Sequence, residues 1–215
     1  MIQRLNSNKI KKSNSSSQWM RRHLNDHFVK KANKLNYRSR AVFKLEEIQD
    51  KFHILKDNQT IIDLGVSPGG WSQWILQNQQ NSSVLAVDLI DCEPFSNRVK
   101  FYKGDFTDKK TQEWLVDKSG GKVNIILSDI APNTTGNHKV DALKMSVILE
   151  DIISFSDDFL LPGGHLVMKS FMSNFDAQLS KLLKEKFKMV KHFKPKSSRK
   201  ESPEIYIIAI SKKKS

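Results

Sequence analysis

Short apolar runs alternate with longer amphipathic stretches over most of this 215-residue chain. Runs of four to six residues that are rich in Val and Ile predict buried strands, and longer stretches with apolar positions three or four residues apart predict helices. The predicted strands are Thr60–Leu64, Val84–Asp88, Val99–Tyr102, Val123–Ser128, His165–Lys169, Met189–Phe193 and Ile205–Ile210. The predicted helices between them lie near Trp71–Gln79, Lys109–Asp117, Val140–Leu160 and Asp176–Phe187.

The order of these elements predicts the class of fold. Strands that alternate with helices are typical of α/β proteins, in which helices cover both faces of a mainly parallel sheet. Only the segment Lys194–Pro203 separates the last two predicted strands, and it has no helical pattern. We therefore expect a final hairpin, which places one antiparallel strand at or near an edge of a seven-stranded sheet.

The region before the first strand has a different pattern. Residues 1–17 hold few apolar positions and predict a flexible basic arm, residues 18–211 predict a single domain, and residues 212–215 predict a basic tail. A first helix is predicted from four apolar residues at roughly helical spacing: Trp19, Leu24, Phe28 and Leu35. Ser39 is the expected N-cap of a second helix, whose apolar positions are Val42, Phe43, Leu45 and Ile48.

The net charge of +13 is distributed unevenly along the chain. Residues 1–44 hold 12 Lys and Arg against one acidic residue, residues 45–180 hold 12 against 19, and residues 181–215 hold 12 against three. A codon bias towards Lys does not explain an acidic centre between two basic ends. The two ends therefore predict a surface that binds a polyanion, with nucleic acid favoured over an anionic membrane.

Several classes of protein are disfavoured by the sequence. No apolar run approaches the roughly 20 residues that cross a bilayer, and the first 18 residues lack the apolar centre of a secretion signal. The single cysteine, Cys92, cannot form an internal disulfide, and neither cysteine pairs nor histidine spacing indicates a metal site. We therefore expect a cytoplasmic protein without a metal ion, and an organellar presequence is the less favoured alternative.

A glycine-rich turn follows the first predicted strand. Gly65 and Gly69 lie in the segment Asp63–Ser72, where glycines let the backbone approach a ligand at the carboxyl end of the strand. The spacing is Gly-x-x-x-Gly-Gly, not the Gly-x-Gly-x-x-Gly of dinucleotide sites, and the lysine of a phosphate-binding loop is missing. Because such a turn also occurs for purely structural reasons, it becomes informative only with the acidic residues that follow.

Two of these acidic residues end the next two predicted strands. Asp88 lies 23 residues after Gly65, where a carboxylate accepts hydrogen bonds from ribose hydroxyl groups. Asp105 follows the third strand, at a position that suits an adenine amino group. Together with the glycine turn, the two acids predict a site for an adenosine ligand without phosphates. S-adenosyl-L-methionine (AdoMet) fits this description, and NAD and ATP do not.

Four charged residues from separate predicted elements form a candidate catalytic set. Lys169 lies in an apolar strand, where a buried amine is costly unless it is paired. Asp129 follows the fourth strand, Glu204 begins the last strand, and Lys44 belongs to the second predicted helix. In chain order the set reads Lys, Asp, Lys, Glu.

With these motifs the chain resembles the FtsJ/RrmJ (RlmE-type) family of 2′-O-ribose RNA methyltransferases, from about Ser17 to Ile210. The matching segments are Arg38–Leu45, Asp63–Gln73, Gly104–Phe106, Ser128–Asn133, Val167–Phe171 and Ser197–Tyr206. The resemblance implies the Rossmann-like, seven-stranded fold of AdoMet-dependent methyltransferases and methylation of a ribose 2′-hydroxyl. In the bacterial type, the implied target is a uridine of the large-subunit rRNA A-loop within the assembled subunit.

The motifs and the resemblance together assign roles to individual residues. The expected catalytic residues are Lys169, Asp129, Lys44 and Glu204, of which Lys44 and Glu204 hold the ribose and the base. The expected AdoMet contacts are Gly65, Gly69, Trp71, Asp88, Asp105 and Asp129. The residues expected to contact RNA phosphates are Lys30, Lys31, Arg38, Arg40 and the Ser197–Lys200 loop, which includes Arg199. The candidates for stacking on a base are Trp19, Tyr37 and Trp71, although core packing is favoured for Trp19. We expect a monomer.

Two questions stay open at the level of sequence. Lys169 takes the proton of the 2′-hydroxyl only if its pKa falls from about 10.4 to roughly 7–8; otherwise it stays charged and orients the hydroxyl. The alternative functions are methylation of tRNA or of an mRNA cap, a catalytically silent RNA-binding assembly factor, and a nicotinamide-dependent dehydrogenase. The intact charged set argues against the silent factor, and the glycine spacing argues against the dehydrogenase.

Overall fold

The computed structural model describes residues 26–93, 96–174 and 177–214. The elements in chain order are α1 (His27–Lys34), α2 (Val42–Phe52), β1 (Thr60–Leu64), α3 (Gly70–Asn78), β2 (Ser83–Asp88), β3 (Val99–Lys103), α4 (Lys109–Ser119), β4 (Val123–Ser128), α5 (His138–Phe159), β5 (Leu160–Phe171), α6 (Ala177–Lys186), β6 (Phe187–Phe193) and β7 (Glu204–Lys212). A short 3₁₀ turn, Met172–Asn174, follows β5. In this part of the chain, each predicted strand and each of the four helices predicted between strands is present.

The strands form one sheet in the order β3-β2-β1-β4-β5-β7-β6. The first five strands pair in parallel, and β7 pairs antiparallel with both β5 and β6. The predicted α/β class and final hairpin are therefore confirmed. The strand order reverses direction between β1 and β4, and open α/β sheets bind ligands outside the carboxyl ends of the strands at such a point.

Helices cover both faces of the sheet. The helices α1, α2 and α3 pack on one face, and α4, α5 and α6 pack on the other. The central strands β1 and β4 are almost entirely buried. Burial on both faces explains why these strands are continuous apolar runs in the sequence and not alternating ones.

The start of α2 differs from the sequence prediction. The N-cap position is Ala41, no side chain caps the helix, and the main-chain N–H of Val42 donates to the carbonyl of Ser39 at 3.4 Å. The prediction of Ser39 as N-cap is therefore wrong. Its hydroxyl faces the start of α3 instead, where a Cβ on Gly70 would overlap it.

Lys212 also differs from the prediction, which placed it in a solvated tail. It is the last residue of β7 and is only 6% exposed. Its Nζ donates to the carbonyls of Ser156, Asp157 and Leu160 at 2.8, 2.8 and 3.2 Å. These carbonyls lie at the carboxyl end of α5, where a helix leaves acceptors unpaired and carries partial negative charge, so a cation stabilises the helix there.

The predicted basic arm, residues 1–17, and the apolar residues Trp19 and Leu24 lie outside the described residues. Phe28 lies in α1 and packs on Phe43 with ring centroids 5.5 Å apart. Leu35 follows α1 and is 49% exposed, so it is not part of the core. None of the helices in the described ranges is long and apolar enough to cross a membrane.

Candidate active site

Lys169 occupies the centre of a charged cluster at the carboxyl ends of β4 and β5. Its Nζ lies 2.9 Å from Asp129 Oδ1, 2.8 Å from the main-chain oxygen of Asp129 and 3.8 Å from Glu204 Oε2. The residue is 8% exposed. The buried amine therefore has the anionic partners that its place in an apolar strand requires.

Lys44, on α2, contacts Glu204. Its Nζ lies 2.8 Å from Oε1 and 2.9 Å from Oε2 of that carboxylate. The structure thus brings together all four residues of the predicted catalytic set. They come from α2, the end of β4, β5 and β7, and Lys44 and Glu204 are 160 residues apart in the chain.

The hairpin explains how Glu204 reaches Lys169. In the antiparallel register of β5 and β7, Lys169 lies opposite Tyr206 and Phe171 lies opposite Glu204. Directly opposed residues lie on the same face of a sheet, so Glu204 and Tyr206 share the face of Lys169. The Tyr206 hydroxyl donates a hydrogen bond to Asp129 Oδ1. Sequence reasoning did not place Tyr206 in the site, although its two-residue spacing from Glu204 was a usable signal.

Burial and charge act in opposite directions on the ionisable groups of this cluster. Burial lowers the pKa of Lys169, but the carboxylates of Asp129 and Glu204 outweigh it, so the pKa lies above its ordinary value. Burial raises the pKa of Asp129, but Lys169, Lys44 and the Tyr206 hydroxyl lower it below its ordinary value. At neutral pH the site therefore holds Lys169 as an ammonium group and Asp129 as a carboxylate.

The glycine turn brings the ends of β1 and β4 close together. Gly65 has a φ of +75°, and a Cβ added there would lie 2.6 Å from Ile130 Cγ1. Gly69 has a φ of +106° and directly precedes α3. Both positions favour glycine because other residues rarely adopt these backbone angles. The turn consequently presents main-chain atoms at the switch point of the sheet.

Trp71 lies below this turn, within the core. The residue is 3% exposed, its indole N–H donates to the Ala41 carbonyl at 2.8 Å, and its ring lies 5.7 Å from that of Tyr206. The prediction that its side chain stacks on a base is therefore wrong. A cofactor would therefore contact Trp71 through its main-chain atoms, at the start of α3, and not through its side chain.

Asp88 and Asp105 lie at the ends of β2 and β3, and local N–H groups hold both carboxylates. Asp88 accepts from the main-chain N–H of Ser67 at 2.8 Å and from that of Ile90 at 2.9 Å. Asp105 accepts from the N–H and the hydroxyl of Thr107 at 2.9 and 2.8 Å. A carboxylate offers about four acceptor positions, so each side chain keeps capacity for a ligand donor.

Asp63 is a buried carboxyl group in β1, directly before the turn. It is 1% exposed, and its Oδ2 accepts from the Ser72 hydroxyl at 2.7 Å. Burial, together with the nearby charges of Asp129 and Asp88, raises its pKa to about 7 although the Ser72 hydroxyl lowers it. Sequence reasoning counted Asp63 only as part of the glycine turn in the signal for an adenosine ligand and gave its buried carboxyl group no role of its own.

Two cavities adjoin the site. One, of about 260 Å³, is lined by residues after the ends of β1 and β2: Ser67, Pro68, Asp91, Cys92 and Glu93. The other, of about 250 Å³, is lined by Arg40, Lys44, Arg199, Ser202 and Glu204. The charged cluster therefore opens onto a basic cavity through Lys44 and Glu204.

The basic residues predicted to contact RNA fall into two groups. Arg40 pairs with the Asp26 carboxylate and donates to the Ser197 carbonyl, and Arg199 Nε lies 3.2 Å from Asp26 Oδ2. Arg38 donates to the carbonyl of Glu93 at 3.0 Å. These arginines therefore have partners inside the protein, and their contacts bring the two basic ends of the chain together beside Glu204.

Lys30 and Lys31, by contrast, are exposed on α1. The Nζ of Lys31 lies 4.3 Å from the centroid of the Phe43 ring, a cation–π distance that leaves the charge accessible. The two lysines are therefore better placed than the arginines for an immediate contact with a phosphate.

The sequence model of the FtsJ-like methyltransferase family matches residues 37–212. A ribosomal RNA large subunit methyltransferase E from Rickettsia felis is 40% identical over 209 residues, which cover 94% of this chain and 92% of the relative. The protein of the same name from Sphingopyxis alaskensis is 41% identical over 199 residues, with 93% and 86% covered.

Solved structures agree with the sequence relatives. A ribosomal RNA methyltransferase from Plasmodium falciparum superposes with a TM-score of 0.71 at 30% identity, covering 82% of this chain and 98% of that one. Fibrillarin in a complex with Nop5p has a TM-score of 0.53 at 20% identity, which shows a shared fold alone; 78% of this chain and 80% of that one are covered.

Proposed function

We propose a function from the premise that this chain belongs to the FtsJ-like methyltransferase family. The proposed reaction is transfer of a methyl group from AdoMet to the 2′-hydroxyl of a ribose in large-subunit ribosomal RNA. Relatives about 40% identical carry the name ribosomal RNA large subunit methyltransferase E. The observation that carries the proposal is the cluster of Lys44, Asp129, Lys169 and Glu204 at the switch point of the sheet, next to a basic cavity.

The residues at the carboxyl ends of β1, β2 and β3 fit an AdoMet molecule. Gly65 lets the turn after β1 pack directly against Ile130 after β4, where a Cβ would collide. Asp88 and Asp105 have free acceptor capacity for ribose hydroxyl groups and an adenine amino group. Acidic residues near the end of β2 suit a sulfonium ligand better than a pyrophosphate. We assign Gly65, Gly69, Asp88, Asp105, Asp129 and the main chain of Trp71 to this cofactor. When bound, AdoMet supplies an electrophilic methyl group.

The charged cluster orients the ribose and stabilises its oxygen during the reaction. The Lys169 ammonium group donates two of its three N–H groups to the side chain and the main-chain oxygen of Asp129, at 2.9 and 2.8 Å. Glu204 Oε2 lies farther away, at 3.8 Å, so the third N–H is the one that contacts the 2′-oxygen. Lys44 and Glu204 line the basic cavity, where they contact the sugar and the base of the target nucleotide. Holding the nucleophile in line with the methyl group lowers the barrier by positioning alone.

The proton of the 2′-hydroxyl leaves towards this cluster by one of two routes. In the first route Lys169 loses its own proton to solvent and then accepts that of the hydroxyl. In the second route Lys169 stays charged and orients the oxygen, and the proton passes to the neighbouring carboxylate of Asp129 or Glu204. The pKa of Lys169, which lies above its ordinary value, favours the second route. A positively charged ligand beside Lys169 acts in the opposite direction and supports the first.

The RNA is proposed to bind along the surface where the two basic ends of the chain meet. Lys30 and Lys31 on α1 provide exposed charge, and Arg40, Arg199 and Arg38 border the cavities. We propose a uridine of the A-loop within the assembled large subunit as the target, with a monomeric enzyme acting in the cytoplasm.

One assay tests the function directly. Tritiated AdoMet is supplied with free ribosomal RNA, isolated large subunits or tRNA, and the modified ribose is then mapped. We expect transfer to one ribose of large-subunit RNA by the wild-type protein and none by a Lys169→Ala variant. Transfer to tRNA alone would redirect the proposal to another substrate, and RNA binding without transfer to any RNA would reveal an assembly factor.

A further inference from the structure

We infer that Ser198 and Glu47 are positioning residues that orient the Glu204 carboxylate towards Lys169. Ser198 lies in the hairpin loop, defined as residues 194–203 between β6 and β7, and Glu47 contacts this loop from α2. The inference rests on the proposed function, because it concerns the rate of the methyl transfer, and neither residue belongs to the set of four charged side chains.

Ser198 distinguishes the two oxygens of Glu204. The Ser198 hydroxyl donates to Oε1 at 2.7 Å, whereas Lys169 lies 3.8 Å from Oε2. Lys44 contacts both oxygens at nearly equal distances and so does not choose between the two orientations of the carboxylate. A hydroxyl on one side fixes the carboxylate so that its other oxygen faces Lys169.

Glu47 in turn fixes Ser198. Its two carboxylate oxygens accept from the main-chain N–H groups of Lys196 and Ser197, at 2.6 and 2.8 Å. These two residues directly precede Ser198 in the hairpin loop. Charge-assisted hydrogen bonds of this kind are about twice as strong as neutral ones, so they hold the backbone from which the Ser198 side chain projects.

The helix α2 provides the common support. Glu47 follows Lys44 by three residues, and residues three apart lie on the same face of a helix. One helical face therefore holds the hairpin loop through Glu47 and Glu204 through Lys44. Because Ser198 is 6% exposed, its hydrogen bond is largely shielded from exchange with water. The path from Glu47 through Ser198 to Glu204 is consequently a continuous chain of contacts on a rigid element.

The hairpin loop provides a matched control. The adjacent Ser197 is fully buried, and its hydroxyl has no hydrogen-bond partner among the described residues. Ser198→Ala and Ser197→Ala therefore remove the same group from neighbouring buried positions, and only the first removes a contact with Glu204. On α2, Glu46→Gln serves in the same way for Glu47→Gln, since the hairpin-loop contacts of the structure involve Glu47.

The test measures kcat, KM for large subunits, AdoMet affinity and melting temperature. We expect Ser198→Ala to lower kcat about tenfold, as for loss of one hydrogen bond to a charged group, with KM and AdoMet affinity unchanged. Ser197→Ala should keep the wild-type kcat, and Ser198→Thr, which retains the hydroxyl, should restore most of it. Glu47→Gln should lower kcat less than Ser198→Ala, and the double variant should match Ser198→Ala alone, because both act through one contact.

Three results would overturn the inference. The first is wild-type kcat in Ser198→Ala, and the second is an equal loss in both serine variants, which would assign the effect to loop packing. The third is full additivity of Ser198→Ala and Glu47→Gln. If the wild-type protein itself transfers no methyl group to RNA, the proposed function fails instead, and the two failures are thus distinguishable.

Discussion

The two halves of the site are held together by different kinds of contact. In the half formed by β1, β2 and β3, main-chain N–H groups of nearby turns fix the carboxylates of Asp88 and Asp105. In the half formed by β5, β7 and α2, side chains that are remote in sequence fix one another, as Lys44 and Glu204 do. Removal of one charged side chain should therefore disturb the other side chains of the second half, whereas in the first half the effect should stay at the substituted residue.

Replacement of Lys169 by alanine should produce the largest effect. The change removes the cation that lies 2.9 Å from Asp129 and leaves that partly buried carboxylate with the Tyr206 hydroxyl but without its nearest cation. We expect the single-turnover rate of methyl transfer to fall at least about 100-fold, while AdoMet affinity stays within twofold of the wild type. A parallel loss of AdoMet affinity would show that the halves are not independent.

Lys169→Arg separates the two proton routes. Arginine keeps the charge but does not release a proton. Unchanged AdoMet affinity and melting temperature would show that the larger arginine side chain fits the site. If this variant then keeps substantial activity, Lys169 has the orienting role. Inactivity under the same conditions would support the role of proton acceptor.

Asp63 provides the exception within the first half, because its state depends on pH. Its pKa of about 7 lies above the ordinary value of 3.8, so the folded protein binds a proton that the unfolded chain has lost. The resulting stabilisation is complete below pH 4 and is lost as the pH rises through 7.

Relative to Asp63→Asn, the free energy of unfolding of the wild type should therefore drop by roughly 2–3 kcal/mol between pH 5 and pH 8. Urea titrations of both proteins at several pH values measure this difference. A constant difference across that range would mean that Asp63 is ionised throughout and that the first half is wholly insensitive to pH.

Asp88→Ala probes the first half at a position that main-chain donors hold. The lost ribose contacts should weaken AdoMet binding by about 1–3 kcal/mol, the range for hydrogen bonds to a charged acceptor. At saturating AdoMet the transfer rate should stay near that of the wild type, since no side chain of the charged cluster contacts Asp88 in the structure. Calorimetry and single-turnover kinetics provide the two readouts, and a slow transfer at saturation would contradict the separation of the halves.

The smallest effect is expected for the exposed lysines of α1. Each phosphate contact on single-stranded RNA contributes about 0.7 to the slope of log affinity against log salt concentration. Lys30→Gln with Lys31→Gln should therefore flatten that slope by about 1.4. Exposed Lys109 and Lys110, on α4 and the opposite face of the sheet, provide the control double variant. Equal slopes for the two double variants would place the RNA elsewhere.

The fold was predictable where the environment of a single strand or helix determined its pattern of apolar and polar residues. The burial of β1 and β4 on both faces is visible as continuous apolar runs, and the short spacing before β7 indicates a hairpin. The errors occurred at polar residues. Ser39 looks like a cap and Lys212 looks like a tail residue, because a sequence pattern does not reveal which backbone a hydroxyl or an amine reaches.

The residues of the site likewise fall into a group that the sequence predicted and a group that it did not. Asp88, Asp105 and Asp129 mark the ends of strands, so their convergence follows from parallel topology. Ser198 was expected only within a loop that contacts RNA phosphates, and Tyr206 was not identified as a site residue. Their contacts with Glu204 and Asp129 depend on the path of the hairpin loop and on the register of the β5–β7 ladder. The pairing of Arg40 with Asp26, 14 residues earlier, also has no local signature, so the sequence did not show that this arginine has a partner inside the protein.

The interior position of β7 has a consequence for the synthesis of the protein. This strand follows every other strand in sequence, yet it lies between β5 and β6 and carries Glu204 and Tyr206. While a ribosome is still adding residues 204–212, β6 has no neighbour to pair with and Lys169 lacks one of its two carboxylates. A nascent chain of this protein therefore lacks the complete set of four charged side chains until β7 has been synthesised and has paired with β5 and β6.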